Sequence, residues 1–269
     1  MTNGQPPSHA NPPHTDHYLG LKGAHLVPTT ATRTTQGNLR TVVDASAIMC
    51  VHGRVGLGKT VAVNTSLRDL APTTTLRLQF SSSSLSKLRT SLFRLLKLPG
   101  DQPGKTVKCD EMIREALSQE FHILVCDEAQ WLDTKGLEFF RELHDDPDTD
   151  LAIVFVGAEN CHEKIRNRPA LASRILTWQQ FSPLTPDEVV DIMPRYHPLW
   201  VSVPHDDVLW INDLACHGNF RNWAKVTYHL QDAMSQSPDL TFSRELVGWV
   251  FSKLDSTARR VQPGSQRPR

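Results

Sequence analysis

Three features are scarce in this sequence of 269 residues: long apolar runs, closely spaced cysteines and net charge. No apolar run approaches the ~20 residues of a membrane helix, and the polar N-terminus has no stretch suited to a signal peptide. The five cysteines stand too far apart for the disulfide framework of a small secreted domain or for a zinc-binding pair. We therefore expect a soluble, cytoplasmic protein that does not associate with membranes.

The balance of charge is even overall but uneven along the chain. The 29 basic and 29 acidic residues cancel, which argues against a protein that holds nucleic acid by bulk charge. Residues 54–97, however, contain eight basic residues and one acid, whereas residues 110–150 contain thirteen acids and three basic residues. We therefore expect two surfaces of opposite potential, and any polyanion must bind locally.

The pattern of apolar segments predicts an α/β fold. Four apolar stretches read as strands, and helical stretches separate them; the strands are placed at 46–53, 75–80, 122–127 and 151–157. Strands that are apolar on both faces belong to a parallel sheet that is covered by helices on both sides. We expect this core to occupy residues 29–182.

The segments on either side of the core have different compositions. Residues 1–28 are rich in proline, histidine, threonine and asparagine, which predicts a flexible arm. Residues 183–256 show helical patterns only, starting with Thr185 and Glu188 as a capping box, which predicts a small all-α lid. Residues 257–269 form a basic tail, a composition that usually means a solvated segment.

A phosphate-binding motif follows the first predicted strand. The segment GRVGLGKT matches GxxxxGK[ST] at Gly53, Gly58, Lys59 and Thr60, with Gly56 as an additional glycine inside the loop. Glycines let successive backbone N–H groups point at phosphate oxygens, and the following helix N-terminus adds its positive dipole end. Lys59 would contact the β- and γ-phosphates and Thr60 would hold Mg²⁺. The segment therefore predicts binding of ATP together with Mg²⁺.

Two acids stand at the end of the third predicted strand. Asp127 would bind Mg²⁺ directly or through water, and Glu128 would act as the general base that polarises the attacking water. An adjacent pair of acids is by itself an ordinary surface feature. In a parallel sheet, however, this strand end and the phosphate-binding loop can meet at the same carboxyl edge. The combination favours ATP hydrolysis over nucleotide binding alone.

These motifs and three later ones resemble the AAA+ ATPases. DEAQ after the third strand is followed by VFVGAEN, LASRI and GNFR, in that order. Within the AAA+ group the sequence looks most like the MuB/TniB branch of transposition regulators, relatives of the IstB helpers and of replication initiators, over residues 29–254. The resemblance implies a P-loop AAA+ fold, ATP-dependent self-assembly into a ring or filament, and binding to duplex DNA without sequence preference. It also implies a transposase or recombinase as partner.

The resemblance also implies roles for single residues. Relatives carry Thr or Asn as sensor 1 directly after the fourth strand, but this sequence has Ala158, so the role would pass to Glu159 or, as we prefer, to Asn160. Arg221 in GNFR resembles sensor 2, which contacts the γ-phosphate from the lid.

A further arginine resembles the finger that one AAA+ subunit inserts into its neighbour's ATP site. Arg174 in LASRI is the preferred candidate and Arg168 the second. A planar guanidinium group stabilises the oxygens on which charge gathers during phosphoryl transfer. An exposed arginine that caps a helix C-terminus is the alternative interpretation.

The basic stretch includes a predicted amphipathic helix over residues 84–96. Lys87, Arg94 and Lys97 share one face, and Arg89 lies at its edge. The opposite face is formed by leucines: Leu85, Leu88, Leu92, Leu95 and Leu96. In the regulators that the sequence resembles, this stretch contacts the DNA backbone, and such cations would bind phosphates without reading bases. A solvated helix face is the alternative.

Three functions are compatible with these observations. The first is an AAA+ ATPase that assembles on DNA and recruits or regulates a transposase or recombinase. The second is a P-loop phosphotransferase for a small molecule, which would need no DNA and no arginine from a neighbour. The third is a nucleotide-switched adaptor ATPase, for instance in secretion, without DNA contact. Dependence of ATP turnover on DNA and on protein concentration separates the first from the others.

Overall fold

The computed structural model describes residues 20–80, 84–237 and 239–254. The described chain forms two compact units, one spanning Thr30–Ser182 and the other combining residues 20–29 with residues 183–254. The first unit is an α/β domain and the second is built from helices.

Strands and helices alternate through the α/β unit. In chain order its elements are α1 (Thr30–Asp44), β1 (Ile48–Gly53), α2 (Lys59–Leu70), β2 (Thr75–Gln79), α3 (Leu85–Leu95), α4 (Thr106–Leu117), β3 (His122–Asp127), a 3₁₀ turn (Ala129–Trp131), α5 (Thr134–Asp145), β4 (Leu151–Gly157), α6 (Glu159–Arg166), α7 (Pro169–Ala172) and β5 (Ile175–Phe181).

The five strands form one parallel sheet in the order β2-β3-β4-β1-β5. Successive residues of a strand point to opposite faces, so the central strands supply two cores. Cys50, Cys126 and Phe155 face the core under α3 to α6, whereas Val51 and Val154 face the core under α1 and α2. The predicted fold class, a parallel sheet covered on both faces, is confirmed.

The fifth strand was not predicted from the sequence. The segment ILTWQQF of β5 mixes apolar and polar residues, and its exposure varies along the strand. It pairs only with β1 at one edge of the sheet, so part of it is exposed and its pattern is weaker than that of a central strand. The buried Gln179 bonds to the side chains of Asn38 (3.0 Å) and Thr35 (2.9 Å), which anchors β5 to α1.

The helical unit has its own core. Its elements are α8 (Pro186–Tyr196), a 3₁₀ turn (Pro198–Trp200), α9 (His205–Ile211), a π-helical turn (Asn212–Cys216), α10 (Phe220–Gln236) and α11 (Arg244–Leu254). Trp200 and Trp223 pack edge to face with ring centroids 5.1 Å apart, and the Trp200 indole N–H donates to the Thr227 hydroxyl at 3.0 Å. The predicted capping box is present, since the Glu188 backbone N–H donates to the Thr185 hydroxyl and the Glu188 carboxylate accepts from the Thr185 N–H.

Part of the predicted N-terminal arm is packed instead of flexible. Leu21 is buried in the core of the helical unit, and the His25 N–H donates to the carbonyl of Tyr196 at 2.8 Å. The carbonyl of Lys22 accepts from the Gln231 side chain at 3.2 Å. One leucine and a few backbone bonds are enough to order a short polar stretch, which composition could not indicate. Residues 1–19 of the arm and the basic tail at 257–269 lie outside the described residues.

Two further observations concern membrane-spanning helices and cysteines. None of the described helices is long and apolar enough to cross a membrane. All five cysteines are buried and free, so they serve as small apolar side chains in the cores.

Candidate nucleotide-binding site

The loop between β1 and α2 has the backbone shape of a phosphate cradle. Gly53 has a φ of 144°, and a Cβ atom there would lie 2.4 Å from the carbonyl oxygen of Phe181. Gly58 has a φ of 91° and precedes the first residue of α2. Only glycine adopts these conformations readily, and Gly56 lies between them in the same loop. The glycine spacing of the sequence motif therefore corresponds to requirements of the backbone.

Lys59 is held inside this loop. Its side-chain Nζ donates to the carbonyl oxygens of Gly53 and Arg54, at 2.8 Å each. The residue is buried, so its ammonium group needs such partners to offset the loss of hydration. These contacts keep the charge at the mouth of the loop, where phosphate oxygens would compete for it.

The phosphate-binding loop and the acids at the end of β3 meet at one edge of the sheet. The Thr60 hydroxyl donates to the Asp127 carboxylate, with Oγ1–Oδ2 and Oγ1–Oδ1 distances of 3.0 and 3.3 Å. The backbone N–H of Glu128 donates to Oδ1 of Asp127 at 2.9 Å. A hydroxyl and a carboxylate are oxygen donors of the kind that Mg²⁺ prefers, so the residues fit the expected ion.

The ionisation of Asp127 reflects its position. Burial raises the pKa of the carboxyl group, and hydrogen bonds from the Glu128 N–H and the Thr60 hydroxyl partly offset that rise. The nearby Glu128 carboxylate also raises the pKa, and Lys59 lowers it. A bound divalent cation would favour the carboxylate form.

Glu128 has an uncommon backbone conformation for a residue with a side chain. Its φ and ψ are 56° and 38°, in the left-handed region, directly before the 3₁₀ turn. Such strain persists only where the surroundings hold the residue, and it is typical of functional sites. The Glu128 carboxylate accepts a hydrogen bond from the side-chain amide of Gln130.

The strand that leads into the loop carries a buried histidine. His52 stacks on His162 of α6, with ring centroids 4.3 Å apart and planes inclined by 19°. Burial, the largest cause, acts together with the nearby His162, Arg166 and Lys59 to lower the pKa of His52 to about 4. His52 is therefore neutral near pH 7, one residue before the phosphate cradle.

The residues predicted to act after β4 and from a neighbouring subunit lie at the surface or are paired. Asn160 is exposed in the first turn of α6. The Arg174 guanidinium group is paired with Asp145 and donates to the carbonyl of Ala170. Arg168 donates to the hydroxyl of Thr134. The roles of these three residues stay predictions.

Arg221 lies in the first turn of α10 in the helical unit. The side chain of Asn219 caps this helix, because its Oδ1 accepts from the backbone N–H of Arg221 at 3.0 Å. The preceding π-helical turn ends at His217 and Gly218. Both residues have left-handed backbone conformations, and α10 begins shortly after them. The sensor 2 role of Arg221 stays a prediction.

The predicted basic helix is α3, and three of its four cations are exposed while the fourth is paired with an acid. Lys87, Arg94 and Lys97 are exposed. Arg89 instead forms a two-pronged ion pair with Asp110 of α4, at 2.6 and 2.7 Å, and its guanidinium carbon lies 5.3 Å from the ring centre of Phe139. The position of Arg89 at the edge of the basic face brings it to an acid on the next helix, and its role in DNA binding stays a prediction.

Several contacts at the site were not predicted from the sequence. Gln130 joins Glu128 to the end of β4, and Lys164 donates from Nζ to the Gln130 carbonyl at 2.9 Å. The stack of His52 on His162 was also missed. The available signal was the position of Gln130 two residues after Glu128, but the partners on β4 and α6 are set by tertiary packing.

Comparison with known proteins agrees with this geometry. Residues 43–165 match the family model described as an AAA domain. No curated protein matches the sequence. Among solved structures, Cdc6p from Pyrobaculum aerophilum is similar with a TM-score of 0.73 and 20% identity, over 85% of this chain and 69% of that one.

Two further structures come from Aeropyrum pernix. The ORC2 protein in its ADPNP-ADP complexes is similar with a TM-score of 0.64 and 14% identity, over 86% of this chain and 68% of that one. The ORC1 protein in complex with DNA has a TM-score of 0.64 and 17% identity, over 85% of this chain and 66% of that one. The AAA+ P-loop fold and the ATPase class predicted from the two motifs are confirmed. The relation in fold is to replication initiators, and the MuB/TniB branch stays a prediction.

The pKa of His52 generates a prediction about stability. A folded-state pKa of about 4 lies below the ordinary ~6.5, so the unfolded chain binds the proton more tightly and stability is lost as pH falls from about 6.5 towards 4. The variant His52→Phe keeps a ring against His162 and cannot titrate. Between pH 7.5 and 5.0, we expect the wild type to lose about 1 kcal/mol more unfolding free energy than the variant, after allowance for partial solvation. Equal losses in urea titrations would contradict the assigned cause.

Proposed function

We propose that this chain is an ATP-dependent, DNA-binding AAA+ ATPase that assembles on duplex DNA and regulates or recruits a transposase or recombinase. The observation that supports the ATPase chemistry best is the 3.0 Å contact between the Thr60 hydroxyl and the Asp127 carboxylate, with Glu128 next to it. In this proposal the phosphate cradle, the metal ligands and the base share one edge of one sheet.

Each residue of this site has a separate task in the proposed reaction. Lys59 exchanges its carbonyl partners for phosphate oxygens. Thr60 and Asp127 would hold Mg²⁺, which would supply positive charge to offset the charge of the phosphates. Glu128 accepts a proton from water as the water oxygen bonds to the γ-phosphorus. The bond between that phosphorus and the bridging oxygen breaks, and ADP and phosphate leave.

Assembly brings in residues that a single chain does not use at its own site. Arg174 is the proposed finger for a neighbouring subunit, and assembly would have to replace its pairing with Asp145. Arg141 also pairs with Asp145, at 2.7 Å, so that acid would keep a partner when Arg174 is withdrawn. Asn160 as sensor 1 and Arg221 as sensor 2 complete the proposed contacts to the γ-phosphate.

The proposed DNA contact is the exposed basic side of α3. Lys87, Arg94 and Lys97 are exposed there, while Leu88 and Leu92 of the same helix are buried in the core. Cations on a firmly packed helix can contact the phosphates of a duplex without reading its sequence. The similarity in fold to an ORC1 protein in complex with DNA supports this assignment.

The transposase or recombinase partner is supported by the order of the short motifs. DEAQ, VFVGAEN, LASRI and GNFR follow one another in an order that resembles the AAA+ ATPases, among which the sequence looks most like the MuB/TniB regulators. The similarity in fold to replication initiators is compatible with the MuB/TniB branch, because the family resemblance treats MuB/TniB regulators and replication initiators as relatives.

The ATPase proposal predicts opposite effects for two substitutions. Lys59→Ala removes the cation that faces the phosphates, so ATP affinity should fall at least about 100-fold and assembly should be lost. Glu128→Gln removes the base but keeps a side chain of the same shape, so ATP should stay bound, turnover should fall about 10²- to 10⁴-fold and the assembled form should accumulate. Nucleotide binding, phosphate release and sedimentation measure the three effects. A Glu128→Gln protein with normal turnover would exclude Glu128 as the base.

The DNA proposal predicts a charge-dependent loss of affinity. In the double variant Lys87→Glu, Arg94→Glu, affinity for duplex DNA with ATP present should fall about 10- to 100-fold, and the slope of log K against log[salt] should become shallower by about 2. The double variant Lys105→Glu, Lys108→Glu changes net charge equally at exposed positions on and beside α4, and should bind nearly as the wild type does. Equal behaviour of the two variants in salt titrations would place the DNA contact elsewhere.

The partner proposal predicts an effect on DNA insertion. Glu128→Gln protein, bound to target DNA with ATP, should raise strand transfer into that DNA by a transposase or recombinase encoded near its gene, because the assembly presents the target. The assay counts insertions into coated and naked DNA in one reaction. Equal insertion frequencies into coated and naked DNA would contradict the proposed transposase or recombinase partner, although the ATPase and DNA-binding proposals would stand.

A further inference from the structure

The side-chain amide of Gln130 connects the proposed base with the end of β4. Its Nε2 donates to Oε2 of Glu128, and its Oε1 accepts from the backbone N–H of Ala158 at 2.9 Å. A carboxylate can only accept and an N–H can only donate, so these two partners also fix which end of the amide is oxygen. The connection spans 28 residues of sequence but only one side chain.

Gln130 is held at its main chain as well. The ammonium group of Lys164 on α6 donates to the Gln130 carbonyl oxygen at 2.9 Å. The space around the amide is narrow, because a Cβ atom at Gly157 would lie 3.0 Å from Gln130 Oε1 and 2.5 Å from the Cβ of Cys161. A side chain fixed at both ends can hold a reacting group in one orientation.

The residue that Gln130 contacts is the one that needs support. Glu128 has a left-handed backbone conformation, and its own N–H is committed to Asp127. The position after β4 carries Ala158, which has no polar side chain to offer. The amide of Gln130 therefore supplies the polar link between Glu128 and the end of β4.

We infer that Gln130 is a positioning residue for ATP hydrolysis, which holds the Glu128 carboxylate against the end of β4 in the orientation that accepts a proton from water. The inference rests on the proposed function, in which Glu128 is the general base. Gln130 itself takes no proton. It acts by limiting the rotamers of Glu128, so its loss should lower kcat and leave ATP affinity nearly unchanged.

Two substitutions separate this role from a purely structural one. Gln130→Met has a similar length and loses both hydrogen bonds. Gln130→Glu keeps an acceptor for the Ala158 N–H, but the introduced carboxylate, when ionised, cannot donate to Glu128. We expect both variants to lower kcat about 10- to 100-fold, the range for a hydrogen bond to a charged group, with the Kd for ATP within about twofold of the wild type. Gln119→Met, at an exposed glutamine after α4, is the control and should change neither quantity.

The pH profile provides a second readout. In Gln130→Glu, two adjacent carboxylates cannot both ionise freely, so the acid limb of kcat should move up by about one pH unit. The limb should stay in place in Gln130→Met. An unmoved limb in Gln130→Glu would show that the side chain at position 130 does not lie against the base.

The outcomes separate this inference from the function on which it rests. Normal kcat in Gln130→Glu with reduced kcat in Gln130→Met would show that the amide only braces β4, and the inference would be wrong. Unchanged or increased kcat in both variants would also overturn it. Normal turnover in Glu128→Gln, measured in parallel, would instead remove the proposed base, whatever the Gln130 variants do.

Discussion

The convergence of three parallel strand ends is the constraint on which the rest of this structure depends. In the order β3-β4-β1, the strand before the phosphate cradle and the strand before the two acids are separated by a single strand. Neighbouring strands lie about 4.8 Å apart, so the two loops begin roughly 10 Å from each other. The first turn of α2 closes that gap, because Thr60 reaches the carboxylate of Asp127. A change of strand order would separate these groups whatever the motifs themselves contained.

The parts of the fold that follow local rules could be predicted from the sequence. Central strands are apolar on both faces. The glycines of the cradle stand where the backbone needs conformations that other residues avoid. The capping box at Thr185 has all its partners within four residues. The enzyme class followed from two motifs with a known chemistry. Each of these features depends on the residues of one short segment, so contacts with distant parts of the chain do not change the prediction.

The parts that depend on distant partners could not be predicted. The weak pattern of β5 becomes a strand because β1 pairs with it and α1 covers Gln179. Arg89 lay at the edge of the basic face by periodicity, but its partner Asp110 comes from another helix. Ala158 offers no polar side chain after β4, and the amide that accepts from its backbone N–H belongs to Gln130, which follows a different strand.

The central claim is that an ATP–magnesium complex lies between the cradle and the two acids at this sheet edge. Its most direct test is a cryo-electron microscopy structure of the protein with a non-hydrolysable ATP analogue, Mg²⁺ and duplex DNA. The account predicts phosphates within hydrogen-bonding distance of the backbone N–H groups of residues 56–60, and a metal ion held by Thr60 and by Asp127 directly or through water. Analogue density at any other place on the chain, or phosphates remote from Asp127 and Glu128, would contradict it.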